Sequence, residues 1–306
     1  MNKEYHIPAL LHQTVDGINI KPDGIYIDAT FGGGGHSALL LSKLTTGQLI
    51  AFDQDLDAHK NAFNDKKFTL FHSNFAYIQN FLDYLKIDGV DGIIADLGLS
   101  THHIDVPERG FSFRFDAPLD MRMNTNQEFD AKKLINNYKE ADLRNIFKNY
   151  GELNNAHQLA VAISKARRQK ELKTTFDLVK AFEKFIPKKT EHKFLAKIFQ
   201  AIRIEVNNEI GTLEKFLLAI PGVLNDKGRA AIISYHSLED KLVKNFFRTG
   251  NLEGKRITDM YGNVIRPLEP INNKVIVPDD LEIDENNRAR SAKLRIAEKN
   301  TKNDNS

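Results

Sequence analysis

The sequence predicts an α/β fold: a parallel sheet covered by helices and interrupted by a long, mainly helical insertion. Three observations predict it. From residue 24 to 96 short apolar runs alternate with segments of helical spacing. After Ser100 that alternation stops, and from about residue 200 it returns. Parallel neighbours need a crossover between them, so strands alternating with helices imply a parallel sheet with both faces covered.

The elements follow in order. GIYIDAT (24–30) reads as a short buried strand, and HSALLLSKL (36–44) has helical spacing. QLIAFD (48–53) is a second strand, followed by a helix from Leu56 to Phe63. KFTLFH (67–72) is a third strand and FAYIQNFLDYLK (75–86) an amphipathic helix. DGIIADL (91–97) is a fourth strand that ends in an acid. Residues 107–127, rich in Phe, Arg and Pro, show no period and read as an ordered loop. Helical patterns dominate from Ala131 to Phe199. AKIFQAIRIEVNNEIGTLEKFLLAI (196–220) then reads as one long helix stopped by Pro221-Gly222. GRAAIISY (228–235) is a strand, SLEDKLVKNFF (237–247) a helix and SAKLRIAE (291–298) a final strand. The last ten residues, AEKNTKNDNS, are polar and expected to fray. Residues 1–106 and 200–306 are thus assigned to one α/β domain, and 107–199 to an inserted helical domain. No internal repeat or low-complexity tract is present.

Composition narrows the function. Hydrophobic content of 41% and charged content of 27% are those of a globular protein. No apolar run approaches the ~18 residues of a membrane span, and MNKEYHIPALLHQ does not read as a signal peptide. Cysteine is absent, which removes disulfides, thiolate nucleophiles and cysteine–zinc sites and suits a reducing cytoplasm. The histidines show no zinc spacing, so no metal is expected. Net charge is only +2, yet residues 160–200 hold eleven Lys/Arg against four Asp/Glu. Such a run is either a solvated helix face or a surface for an anionic partner.

FGGGGHS (31–37) lies where the first strand passes into a helix. Free N–H groups there attract a polar or negative ligand, and missing side chains let it approach the backbone. A phosphate-binding P-loop would place a Lys beside Ser/Thr after the last Gly, where this chain has His36-Ser37. A dinucleotide site fits better, with Gly33-x-Gly35-x-x-Ala38 and Asp53 twenty residues on. An S-adenosylmethionine (AdoMet) site uses the same turn and acid. A turn that binds nothing is the remaining reading. Asp96, at the carboxyl edge of the fourth strand, favours group transfer to an amine or ring nitrogen over hydride transfer, because no His or Tyr–Lys pair accompanies it. It is equally placed to cap the following turn.

The motifs HIPALL, GIYIDATFGGGGHS, ADLGLS, ERGFSF, PLDMRM, IFQAIRIEVNNEI, IISYHSLEDKLVK and NNRARSAKLRIAEK occur in this order along nearly the whole chain. In them the chain resembles the bacterial 16S ribosomal RNA (cytosine-N4)-methyltransferases, the family also called RsmH or MraW. The resemblance implies an AdoMet-dependent methyltransferase with a Rossmann-like sheet and an inserted helical domain. It implies S-adenosyl-L-methionine as cofactor, with contacts at Gly34, Gly35, His36, Asp53, Phe75 and Asp96. Gly34 and Gly35 would admit the methionine portion, Asp53 would accept the ribose hydroxyls, and Phe75 would lie against adenine or serve as a core residue. One position departs: Ser100-Thr101-His102-His103 stands where relatives read Ser-Ser-Pro-Gln or Ser-Ser-His-Gln. The family's Gln contact therefore falls on His103, whose neutral ring has one donor and one acceptor on separate nitrogens.

The substrate implied is a decoding-centre cytidine of 16S rRNA in the small ribosomal subunit, and the enzyme is expected in the cytoplasm as a monomer or homodimer. Asp96 is the catalytic candidate, accepting hydrogens from the cytosine amine. Arg109, Phe111, Phe113 and Arg122 offer the Arg–aromatic mixture that grips single-stranded RNA, unless the Phe residues anchor their loop. Arg167, Arg168, Lys188 and Lys189, and Arg288, Arg290 and Lys293 near the end, are candidate phosphate contacts. His236 and Glu239 lie at the carboxyl edge of the GRAAIISY strand, open to acid/base work or to a helix start capped by Ser237. The runner-up function is an NAD-dependent oxidoreductase, and an RNA-binding module without catalysis stands third.

Overall fold

The computed structural model describes residues 8–272 and 274–300. Along the chain run α1 (Leu11–Gly17), β1 (Ile25–Asp28), α2 (Gly35–Ser42), β2 (Gln48–Asp53), β3 (Phe68–His72), α3 (Ile78–Leu85) and β4 (Val90–Asp96). Next come α4 (Thr101–Asp105), α5 (Ala131–Asn137), α6 (Glu140–Asn149), α7 (Ala156–Gln169), α8 (Thr175–Phe182) and α9 (Glu191–Val206). The chain closes with α10 (Glu209–Val223), β5 (Leu224–Ser234), α11 (Ser237–Thr249), β6 (Leu268–Pro270), α12 (Asp280–Glu285) and β7 (Lys293–Lys299). Two compact units result, one of Met1–Gly98 with Ile210–Ser306 and one of Leu99–Glu209.

The first unit is built on one seven-stranded sheet, ordered β3-β2-β1-β4-β5-β7-β6. β1 to β5 are parallel to one another, while β7 runs antiparallel to both β5 and β6. Strand residues alternate between two cores, as a period of two requires. Ile27, Ile50, Phe52, Ile93 and Ile232 face a layer containing Leu213, Phe216, Leu217 and Ile220 of α10. Tyr26, Leu49, Ile94 and Ile233 face the opposite layer, with Val15 of α1 and Leu40 of α2. Both faces being covered explains why these strands read as apolar runs.

The second unit has its own core. Leu143, Ile146 and Phe147 of α6, Leu159 and Ile163 of α7, and Leu195, Ile198 and Ile202 of α9 share one cluster at three- and four-residue spacing. The capping box of Thr174 and Asp177 starts α8, and Asp130 caps α5. The 107–127 segment is ordered as expected, and its side chains say why. Phe111, Leu119 and Met121 are buried in this core. The Asn207 side chain donates to the Met121 carbonyl at 2.8 Å and accepts the Met123 N–H at 2.7 Å.

Several expectations are corrected. The helix expected over Leu56–Phe63 is only a 3-10 turn, Ala58–Asn61. Asp53 and Asp55 each bond a backbone N–H two residues on, at 2.8 and 3.1 Å, and so compete with helix formation. The long helix expected across 196–220 is two, α9 and α10, because Asn208 turns into the left-handed region at φ 48°. Pro221 does not stop α10 but lies in its last turn, and β5 begins at Leu224. β6 went unread: it is a three-residue edge strand ending in Pro270. Ala297 to Lys299 belong to β7 and do not fray; 301–306 lie outside the described residues. The unit boundaries fall at 98/99 and 209/210, where the reading from patterns put them at 106/107 and 199/200. α4 and all of α9 therefore go with the helical unit.

Asn207 is 8% exposed, so its loss strands two polar backbone groups in a dry setting. Each such group costs about 1–3 kcal/mol. Asn207→Ala should therefore lower the urea midpoint at unchanged cofactor affinity, and an unaltered midpoint would show the tie to be dispensable.

A candidate cofactor site at the carboxyl edge of the sheet

Three neighbouring strands, β2, β1 and β4, each end in an acid: Asp53, Asp28 and Asp96. The strand order reverses between β1 and β4, the place where open α/β sheets bind ligands. Here the chain leaving β1 bonds first to one side and then to the other. Ala29 N–H donates to Ile94 of β4 and Phe31 N–H to Phe52 of β2, both at 2.9 Å. The glycine turn is thereby stretched across the crevice.

Asp28 is buried, 2% exposed, and points inward. Its carboxylate accepts the Ser37 hydroxyl at 2.6 Å and the Thr30 N–H at 3.0 Å. Burial pushes its pKa up, partly offset by these bonds and by nearby His36. Thr30 in turn accepts the Asp96 N–H on its hydroxyl at 2.6 Å. Asp53 accepts the Gly32 N–H at 2.7 Å. Asp96 accepts the Gly98 N–H at 3.1 Å, and the Tyr235 phenol lies beside it. Burial first, then the Asp96 charge and hydrogen bond, push the Tyr235 pKa up, so the phenol stays protonated.

The glycines divide by cause. Gly34 has φ 78°, and a Cβ there would stand 3.0 Å from both the Phe31 and Phe63 rings. A Cβ on Gly35 would meet Pro8 at 2.2 Å. Packing within the protein thus accounts for both missing side chains. Gly32, at φ 52°, is different: the nearest atom to a Cβ there is 3.9 Å away, so the space beside it is open. Gly34 caps α2 without a side-chain bond, and the first-turn N–H groups of that helix have no intrahelical acceptor. Open space, amide donors and the Asp53 carboxylate fit a ligand with a carboxylate at one end and ribose hydroxyls at the other.

The remaining predicted residues fall as follows. The His36 ring is buried, with Nε2 3.2 Å from the Ala9 carbonyl, so its side chain anchors the N-terminal segment and only its backbone faces a ligand role. Phe75 is half-buried, its ring 4.9 Å from Phe216 and packed on the sheet core. His236 and Glu239 form the capping box that starts α11, so His236 rather than Ser237 is the cap. Arg288 and Arg290 are exposed on a 3-10 turn, and Lys293 reaches Asp240 at 3.4 Å.

In the helical unit the expected RNA grip is corrected. Arg109 is 8% exposed and donates to the Arg122 and Met123 carbonyls at 2.9 and 3.1 Å. Arg122 is held bidentately by Asp120 and by the Thr125 and Gln127 carbonyls. Phe111 is buried and Phe113 packs on Phe199 at 5.5 Å. These four brace their own loop. The His103 ring is buried 4.8 Å from Phe111, packing that accounts for its position. Arg167 donates to the Ile135 carbonyl at 2.7 Å, whereas Arg168, Lys188 and Lys189 are exposed. Sequence reasoning missed Asp28, Thr30, Ser37 and Tyr235. Asp28 and Ser37 stood within motifs already singled out, but their pairing needed the fold.

An all-parallel dinucleotide sheet of order 3-2-1-4-5-6 does not describe this protein, since antiparallel β7 lies between β5 and β6. The fold and the site fit the other reading, an AdoMet-dependent methyltransferase, and the sequence relationships below establish that class. The profile of the MraW methylase family matches residues 3–300, and the chain belongs to that family. It is 55% identical over 297 residues to the ribosomal RNA small subunit methyltransferase H of Flavobacterium johnsoniae, covering 97% of this chain and 98% of that one. It is 53% identical over 296 residues to the protein of the same name from Bacteroides thetaiotaomicron, covering 96% and 97%. Among the described residues no helix is long and apolar enough to cross a membrane.

Replacing Asp53 tests the site. Asp53→Ala should lose bonds to a charged acceptor of about 2–3 kcal/mol, a roughly 30- to 150-fold weaker AdoMet dissociation constant. Calorimetry showing unchanged affinity would remove Asp53 from the site.

Proposed function

We propose that this methyltransferase transfers a methyl group to the N4 amine of a decoding-centre cytidine in 16S rRNA, within the small ribosomal subunit and in the cytoplasm. The observation that carries the reading is Asp96, a carboxylate at the end of β4, beside the strand whose end carries the glycine turn. The shared name of the relatives, an rRNA methyltransferase of the small subunit, supports it.

The α2 N-terminus, Gly34 and Gly35 backbone, and the Asp53 carboxylate would hold the cofactor, with Phe75 against its base. When bound, S-adenosylmethionine supplies an electrophilic methyl on a sulfonium. The acceptor is a poor nucleophile, because the cytosine N4 lone pair is delocalised into the ring. A carboxylate accepting the amine hydrogens favours the pyramidal form whose lone pair can attack. Asp96 is the group for this, steadied by the Gly98 N–H and the protonated Tyr235, and its carboxylate would take the proton that N4 loses as the N–C bond forms and the bond to sulfur breaks. Much of the acceleration then comes from alignment. The target base must leave its stack to reach such a site.

Phosphate contacts are assigned to the exposed Arg168, Lys188 and Lys189 of the helical unit and to Arg288 and Arg290. Reversing Arg168, Lys188 and Lys189 to Glu should weaken RNA binding. It should also flatten the salt dependence by about 0.7 in log–log slope per lost single-strand contact. AdoMet affinity should not move, and an unchanged salt slope would make these charges a solvated face.

The reaction itself is checked by treating unmethylated small subunits with enzyme and AdoMet, digesting the 16S rRNA and locating the methyl by mass spectrometry. N4-methylcytidine is the expected product; methyl on C5, on ribose or on adenine refutes the reading. Asp96→Ala should turn over slowly even at saturating AdoMet, where a defect confined to cofactor binding disappears.

A further inference from the structure

Between α11 and β6 the chain forms a hairpin that contributes nothing to either core of the sheet unit. Thr258 bridges Val264 in antiparallel fashion, Asp259 N–H donates to the Asn263 carbonyl at 3.0 Å, and Ile265 N–H to the Ile257 carbonyl at 2.9 Å. The turn is held from inside. The Asp259 carboxylate accepts the Tyr261 and Asn263 N–H groups at 2.8 and 2.9 Å and the Asn263 side chain at 3.0 Å. Those bonds, the Asn263 side chain's first, hold its pKa below the usual carboxylate range. At the base, Asn251 accepts the Lys255 N–H at 2.9 Å, and Arg266 donates to the Arg248 carbonyl at 2.9 Å.

This ordered turn displays what a folded protein normally hides. Tyr261 is 83% exposed and Met260 89%, at the tip. Lys255 and Arg256 at the base are exposed too, and among the described residues neither is paired with an acid. Of the two nearby acids, Asp259 is occupied by the turn, leaving Glu253. An ordered aromatic ring held out into solvent at the tip, with cations at the base of the same hairpin, matches the means by which single-stranded RNA is bound, a stacking platform with phosphate-binding charges. Ile257 and Ile265 behind the tip are half-exposed as well, but lysine is depleted at stable protein interfaces, and the cations at the base favour an anionic partner. One exposed ring is enough to stack a base.

We propose that the hairpin formed by residues 255–266 is an RNA-binding finger, in which Tyr261 stacks on an unpaired base of the substrate and Lys255 and Arg256 take phosphates further along the same strand. The inference rests on the rRNA reading above and adds a recognition element outside the helical insertion. Because these side chains are exposed, their replacement leaves the cores intact.

The probe is the unmethylated small ribosomal subunit. Tyr261→Ala should raise KM for it roughly 5- to 150-fold, the range of one lost base stack, with AdoMet affinity unchanged. Tyr261→Phe should retain the wild-type KM. Tyr261→Leu, apolar but without a ring, should behave as the alanine variant does. Lys255→Glu with Arg256→Glu should give a shallower salt dependence of binding. A Tyr261→Ala enzyme with wild-type KM overturns the proposal. So does a Tyr261→Leu enzyme that binds as wild type, since that would make the tip an apolar protein contact. Wild-type enzyme that leaves the subunits unmethylated refutes the rRNA reading itself, whereas a methylating wild type with an unaffected alanine variant refutes the finger alone.

Discussion

The buried carboxylate of Asp28 is the group on which the cofactor site depends. It ends the central strand in a place where an ionised group is costly, and it persists because two donors face it. One of them, Ser37, lies in the first turn of α2, so the carboxylate sets where that helix begins. The other is the N–H of Thr30, whose hydroxyl holds the Asp96 backbone. A single buried acid therefore places both the amide donors of α2 and the end of β4. Removing one partner of such a group strands the rest without water to replace it.

The glycine run illustrates how a motif can be right for more than one reason. Four glycines in a row suggest clearance for a ligand, and of Gly32, Gly34 and Gly35 only Gly32 has that space beside it. Gly34 and Gly35 are bare because Phe31, Phe63 and Pro8 fill the positions their side chains would occupy. The turn is held tight by the protein on one side, and the donors it presents on the other belong to its backbone. Rigidity supplied from behind costs nothing when ligand binds, which is the benefit of preorganisation.

Charge behaves similarly. Arg109 and Arg122 look like RNA-binding residues because they share a segment with several phenylalanines, but their guanidiniums satisfy backbone carbonyls and Asp120. A loop with little regular structure has many unpaired carbonyls, and an arginine with five donors is suited to closing it. Cations left to solvent include Arg168, Lys188 and Lys189 and those at the base of the 255–266 hairpin. Composition counts all of these alike.

The sequence by itself determined the alternation of strands and helices, the glycine turn, the acids that end β2 and β4, and the family. These are local signals: a period of two or 3.6, a residue type that tolerates positive φ, a motif in register. What only the tertiary structure decided was partnership. That β7 enters antiparallel between β5 and β6, that Asn207–Asn208 divides one apparent helix into two, and that Tyr235 stands by Asp96 all depend on atoms distant in the chain. So does the fate of each arginine. A side chain's role follows from which donor or acceptor folding brings within about 3 Å, and that distance is not written in the spacing of residues along the sequence.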